Sequence, residues 1–177
     1  QHAATNGVAL AAATLSSTLV CVPLIWALVR SNDAARFLCL RATSAKSIAL
    51  WCSIVVAFVA VQDFGSFAFG PPVVADFMVK AYSSAPPILI VLAVVVAAPL
   101  FEEILFRGFL MSALEARGVS AAAGGVVSAA HWAVMRAQYD FYNIVAIFLV
   151  GLLLAAARVK TGSVVPCFVM HALGNAI

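Results

Sequence analysis

Charged side chains are scarce in this chain: of its 177 residues only 10% are charged, while 65% are hydrophobic. A soluble globular domain is about a quarter charged and about half apolar, so this composition excludes that class. The basic residues are scattered over the ends of apolar segments, so the net charge of +3 does not indicate a nucleic-acid partner. The mean hydropathy of +1.11 instead indicates a multi-pass protein embedded in the lipid bilayer.

Metal and redox signatures are also missing. The 4 cysteines have no CxxC spacing, which favours small buried hydrophobic side chains over a redox or zinc site. No HExxH pattern occurs, so the sequence gives no specific support for a zinc peptidase. The chain begins at Gln1 rather than at a methionine, and we therefore expect it to be a fragment of a longer protein.

The chain does contain long apolar runs, which predict an all-α, polytopic transmembrane bundle of about six spans and one interfacial helix. The predicted spans cover residues 8–29, 47–61, 88–115, 119–135, 142–157 and 164–177, and the interfacial helix covers 74–82. Glycine and proline break residues 62–87, which are predicted as a loop around that helix. Most basic residues fall in alternate connections, which predicts that both chain ends lie outside the cytoplasmic face.

Two adjacent carboxylates, Glu102 and Glu103, lie inside the third predicted span, with Arg107 one turn later. Acidic residues at membrane depth are costly and usually mark a function. Glu103 and Arg107 have the i,i+4 spacing that favours a helical ion pair. Glu102 is rotated by about 100° from Glu103, so it can point into a cavity between helices.

Other polar residues are predicted to lie near the same depth. With a rise of about 1.5 Å per residue, Glu102, His131, His171 and Asn175 come within about two turns of one plane. A buried carboxylate beside a histidine can activate water as a general base. A second histidine and an amide can donate hydrogen bonds to an oxyanion. The same donor set would also suit Zn²⁺.

Three segments carry a family resemblance, in the order FEEILFRGFL, SAAHW and TGSVVPCFVMHALGNA. They resemble the EExxxR, FxxxH and HxxxN motifs of the CPBP family of CAAX-prenyl endopeptidases and bacteriocin-processing (Abi) intramembrane proteases. The resemblance covers residues 87–177, which would be the catalytic core. Residues 1–86 would be a two-span region with a polar loop and the interfacial segment, and we expect a single folded unit. One departure is Val127, which stands where the family usually has phenylalanine.

The resemblance implies a glutamate-dependent intramembrane endopeptidase. Glu102 would be the general base, and His131 would help to hold the attacking water. His171 and Asn175 would stabilise the oxyanion. The substrate would be a membrane-associated peptide or protein, cut near its C-terminus or membrane anchor.

The same resemblance gives Glu103 and Arg107 a supporting role, as an ion pair that shapes the site. No cofactor is expected; a bound zinc ion would be held by Glu102, His131 and His171. The protein is expected in a bacterial inner membrane. Two further functions stay open: a proton-coupled transporter that uses these residues as a relay, and a non-catalytic membrane scaffold.

Overall fold

The computed structural model describes residues 6–29, 33–69 and 76–177, and these residues form helices joined by short connections. This arrangement and the apolar helices confirm the predicted all-α membrane bundle. In chain order the helices are α1 (Gly7–Leu28), α2 (Ala34–Phe37), α3 (Ala45–Phe69), α4 (Asp76–Ser83), α5 (Pro87–Glu115), α6 (Ala121–Val134), α7 (Phe141–Thr161) and α8 (Val165–Ala176).

Four of these helices, α1, α3, α5 and α7, are long and apolar enough to cross a membrane. Helices α6 and α8, in the positions of the fourth and sixth predicted spans, have 14 and 12 residues. At a rise of about 1.5 Å per residue α6 is shorter than the hydrocarbon core, which is about 30 Å thick. The predicted interfacial helix corresponds to α4, although residues 74–75 of that prediction lie outside the described part of the chain.

Helix α3 continues to Phe69, whereas the sequence predicts an end at Val61 and a loop after it. In the sequence Gly65 indicates an interruption of the helix, but in the structure it lies within α3 and packs closely against α7. A Cβ at Gly65 would lie 2.8 Å from the hydroxyl oxygen of Tyr142 on α7. That hydroxyl donates a 3.0 Å hydrogen bond to the carbonyl of Gln62, so the glycine lets α3 and α7 meet.

Helix α5 contains two π-helical stretches, Val91–Ala97 and Ile104–Leu110, on either side of the two glutamates. The N–H of Ala98 bonds to the carbonyl of Ala93, five residues earlier, rather than to Val94. Pro99 has no N–H that could reach the Val94 carbonyl in the same wide turn. The carbonyl of Val94 therefore lacks a donor within its own helix and needs one from elsewhere.

Close contact between α6 and α7 brings polar groups of three helices together. A Cβ at Gly151 would lie only 2.9 Å from Cβ of Ala129, so glycine is required there. The carbonyl of Gly151 accepts a 3.2 Å hydrogen bond from Arg107 of α5. Beside this contact, buried side chains that include Phe106, Trp132 and Met170 form a core cluster. The helices of both predicted regions share interfaces, because α1 packs on α5 and α3 packs on α7 and α8.

Candidate active site

Glu103 and Arg107 form a completely buried ion pair at the centre of the bundle. Their side chains are 0% exposed, and Nη1 of Arg107 lies 2.9 Å from Oε1 of Glu103. This is the i,i+4 pair that the sequence spacing predicts within one helix. The guanidinium also lies 4.9 Å from the centre of the Trp132 ring, in a cation–π contact. A buried ion pair adds little net stability, but removal of one partner leaves an uncompensated buried charge that strongly destabilises the protein. Glu103 and Arg107 therefore depend on each other.

His171 of α8 is tied to the same carboxylate. Its Nδ1 lies 2.8 Å from Oε1 of Glu103, and the side chain is buried. Because the ionised Glu103 can only accept, the proton of this bond belongs to Nδ1 of His171. The Trp132 ring meets the imidazole edge to face, with ring centres 5.1 Å apart. The tautomer and the ring orientation of His171 are therefore fixed, and Nε2 points away from Glu103.

Nε2 of His171 faces the second carboxylate, that of Glu102, at 3.9 Å from Oε2. That gap is too long for a direct hydrogen bond and allows one water to bridge the two groups. Glu102 is 16% exposed, whereas Glu103 is fully buried. The two neighbouring acids thus differ in their surroundings. Glu103 is buried and bonded to Arg107 and His171, whereas the side chain of Glu102 is partly exposed.

Glu102 receives hydrogen bonds from two residues that follow His131. Nε1–H of Trp132 donates to Oε2 at 2.5 Å. Nη2 of Arg136 lies 2.5 and 2.6 Å from Oε1 and Oε2. Arg136 belongs to the connection between α6 and α7, and its guanidinium lies 5.6 Å from the Trp132 ring centre. Burial raises the pKa of the Tyr139 phenol in the same connection, so this neighbour of Arg136 stays protonated.

Sequence reasoning missed both of these partners. An aromatic residue such as Trp132 near the end of a span is typical of a membrane interface, and Arg136 is one of several basic residues at the ends of apolar segments, so neither stands out in the sequence. One signal was available, because Trp132 and Arg136 are separated by four residues and so share a helical face. Arg136 also follows a span that carries the second motif, close enough for a long side chain to reach into the bundle.

The structure places His131 apart from this cluster. Its side chain is exposed, and its ring contacts Phe106, with centres 6.0 Å apart. Phe106 lies one turn after Glu102, so His131 lies beside the cluster and not within it. Trp132, about 100° further round α6, occupies the position towards Glu102. In the structure Trp132 makes the direct contact with Glu102, and the role of His131 in holding the water stays a prediction.

Asn175 lies one turn beyond His171 on α8, on the shared face that the sequence predicts. Its Nδ2 donates a 2.9 Å hydrogen bond to the carbonyl of Val94. That carbonyl is the one that Pro99 and the π-helical turn leave without a helical donor. The bond locks α8 to α5 beside the acidic pair. An amide nitrogen has two protons, so a second donor stays available for a ligand.

Two cavities open next to these residues. The larger has a volume of about 1000 Å³ and is lined by Glu102, Arg136 and Asn175 among others. The smaller has a volume of about 150 Å³, has mostly apolar walls, and reaches His171. Gly174 and Asn175 line both cavities, so α8 separates a polar space from an apolar one. An apolar pocket beside converging polar groups is typical of a ligand site.

The residues named for a zinc ion do not converge in the structure, because His131 lies outside the contacts of Glu102 and His171. Within the described ranges, no three His, Cys, Asp or Glu side chains lie together as a metal-binding group. The oxygens of Glu102 are instead held by nitrogen donors of Trp132 and Arg136. Zinc binding by Glu102, His131 and His171 stays an alternative that the sequence alone suggests.

A helical bundle with apolar spans and a buried acid–histidine cluster defines an integral membrane protein with a candidate hydrolytic site. Residues 84–177, more than half of the chain, match the family described as Type II CAAX prenyl endopeptidase Rce1-like. The chain belongs to this family, which confirms the resemblance seen in the sequence. Membership points to a protease of the CAAX type as the general class of activity.

One relative is an Escherichia coli protein described as an uncharacterized 24.3 kDa protein, to which the chain is 27% identical over 125 residues. This similarity covers 66% of the chain and 58% of the relative, so the chain spans little more than half of that protein. No solved structure gives a significant match.

Proposed function

We propose that this protein is an intramembrane endopeptidase that hydrolyses a peptide bond of a membrane-associated peptide or protein, near its C-terminus or membrane anchor. In this proposal Glu102 is the general base and water is the nucleophile. The chemistry needs no covalent intermediate and no cofactor from the residues present. The family membership and the Escherichia coli relative favour a bacterial inner membrane as the location.

The observation that carries the proposal is the 3.9 Å gap between Oε2 of Glu102 and Nε2 of His171. A water about 2.8 Å from each atom can occupy that gap, with an angle of roughly 90° between its two hydrogen bonds. Glu103 holds the other imidazole nitrogen, so Nε2 is aimed at the same point. General-base catalysis requires a proton acceptor within hydrogen-bond reach of the water, which Glu102 supplies, and Nε2 of His171 would help to orient that water.

The steps follow from these groups. Glu102 takes a proton from the water while the water oxygen attacks the carbonyl carbon, which gives a tetrahedral oxyanion. The free N–H of Asn175 can donate to that oxyanion. Nε2 of His171 can donate to it when the imidazole has taken up a proton from solvent in the cavity, which it returns after the products leave. Collapse breaks the C–N bond, and the proton held on Glu102 passes to the leaving amine. The products are a carboxylic acid and an amine, so one water is consumed for each bond cut.

The fully buried Glu103 is unsuited to act as the base. Its Oε1 already binds both Arg107 and His171, and its side chain has no access to a cavity. We therefore assign Glu103 and Arg107 to holding His171 in position. For His131, whose ring contacts Phe106, we keep the predicted role of helping to hold the water.

The test uses purified protein in liposomes with peptides that carry an apolar anchor, and it maps cleavage by mass spectrometry. Wild-type protein should cut within the peptide, and Glu102→Gln should abolish the cut while the thermal melting curve stays unchanged. Cleavage should also survive a zinc chelator. Cleavage that persists in Glu102→Gln, or ion flux that depends on Glu102 without any cleavage, would refute the proposal.

A further inference from the structure

Arg136 blocks the residue that is proposed to act as the base. Its Nη2 contacts both oxygens of Glu102, and Trp132 donates to one of them as well. A carboxylate with both oxygens engaged by a guanidinium is a poor proton acceptor, because the pair stabilises its charged form. Glu102 can activate water only after Arg136 moves away.

Moving Arg136 requires another anion. The guanidinium is 26% exposed and stands at the edge of the large cavity, where separating it from Glu102 without a substitute would leave two poorly solvated charges. Arginine binds carboxylates through two parallel N–H donors, so a second carboxylate is the natural replacement for Glu102. In the present contact one nitrogen, Nη2, meets both oxygens of Glu102, so this guanidinium already binds a carboxylate at the edge of the cavity.

The residues that line the large cavity indicate that Arg136 is the group that would bind this anion. Among the described residues that line the large cavity, Arg136 is the one cation, while Glu102 and Asp63 are acidic. Arg136 lies in the connection after α6 and not within a helix, so its side chain and backbone can shift without unwinding a span. The cavity, of about 1000 Å³, is large enough for several residues of an extended peptide.

We propose that Arg136 binds the terminal α-carboxylate of the peptide substrate, and that this exchange of partners releases Glu102 to activate water. The inference rests on the proposed endopeptidase function and adds a specificity residue to it. A substrate with a free C-terminal carboxylate near the scissile bond would free Glu102 to accept a proton from water. Without such a group, Glu102 stays paired with Arg136 and does not catalyse cleavage.

The first arm of the test measures binding and does not depend on cleavage. A short apolar peptide with an N-terminal fluorophore is prepared with either a free C-terminal carboxylate or a carboxamide, and anisotropy is measured in a non-ionic maltoside detergent. Glu102 competes with the carboxylate for Arg136, so Glu102→Gln should bind the acid peptide more tightly than wild type does. The amide peptide should bind both proteins alike.

Expected differences are large enough to measure. In Glu102→Gln the acid peptide should bind about tenfold to a hundredfold more tightly than the amide, the range for hydrogen bonds to a charged group. Adding Arg136→Gln should bring the ratio of acid-peptide to amide-peptide affinity close to one. Arg136→Lys should keep part of the preference, because lysine keeps the positive charge but lacks the paired N–H donors of arginine. Arg117→Gln, at an exposed arginine of the α5–α6 connection, is the matched control and should change nothing.

The second arm compares cleavage of the same two peptides by wild-type protein. The acid peptide should have the higher kcat/KM, and Arg136→Gln should remove that preference. Equal binding of acid and amide to Glu102→Gln, failure of both to bind, or a preference that survives Arg136→Gln would overturn the assignment of Arg136. Cleavage of both peptides that depends on Glu102 but shows no preference would overturn this inference and leave the proposed function standing. Binding that prefers the acid peptide, without any cleavage, would support the role of Arg136 in binding and overturn the proposed endopeptidase function.

Discussion

Replacing Arg107 by methionine should destabilise the protein far more than replacing both members of its ion pair. The structure buries Glu103 and Arg107 completely, at 2.9 Å from each other. Oε2 of Glu103 and Nε of Arg107 lack a hydrogen-bond partner among the described residues, so the pair does not fully recover the cost of burial. Arg107→Met leaves Glu103 charged and buried, which costs about 3–5 kcal/mol. The combined Glu103→Leu, Arg107→Met change removes both charges and should cost much less.

Thermal unfolding followed by tryptophan fluorescence in detergent provides the assay. For a chain of this size each kcal/mol lowers Tm by about 2–4 °C, so Arg107→Met should lower it by roughly 6–20 °C. The double variant should recover most of that loss and yet stay inactive, because His171 has lost the acceptor for its Nδ1 proton. Arg117→Met, at an exposed position, is the control. A Tm for Arg107→Met within 2 °C of wild type, or a double variant as unstable as the sum of the singles, would refute this reasoning.

Three other substitutions test separate parts of the structure. Asn175→Ala leaves the Val94 carbonyl without a donor and should lower stability by about 1 kcal/mol, measured by the same thermal assay. Gly174→Ala places a Cβ where no atom lies within 4 Å and should keep cleavage, whereas Gly174→Phe should fill the junction of the two cavities and abolish it in a folded protein. His171→Ala should reduce the rate of peptide cleavage more than His131→Ala does, and the opposite order would show that His131 enters the site during the reaction.

Local sequence rules predicted the features that depend on one helix. The apolar runs predicted the helices, and the i,i+4 spacing predicted the Glu103–Arg107 pair, because both follow from helical geometry alone. The same geometry placed His171 and Asn175 on one face. The polar layer was also predicted in outline, since Glu102 and His171 come from distant segments and lie 3.9 Å apart.

Features that depend on the rotation of one helix against another were not predictable from the sequence. Helix α6 carries exposed apolar residues beside its buried ones, so its pattern does not say whether His131 or Trp132 faces α5. The contact between Arg136 and Glu102 depends on the path of a connection, which no periodicity specifies. The role of Asn175 required knowing that Pro99 and a π-helical turn free the carbonyl of Val94.

The most direct measurement is the single-turnover rate of peptide cleavage by wild-type, Glu102→Gln and Glu103→Gln proteins at equal folded concentration. A general base contributes about 10²–10⁴ to the rate, so Glu102→Gln should be slower by that factor with an unchanged Tm. Glu103→Gln should lower both the rate and the Tm, because it disturbs a buried network. A Glu102→Gln rate within about tenfold of wild type would contradict the account.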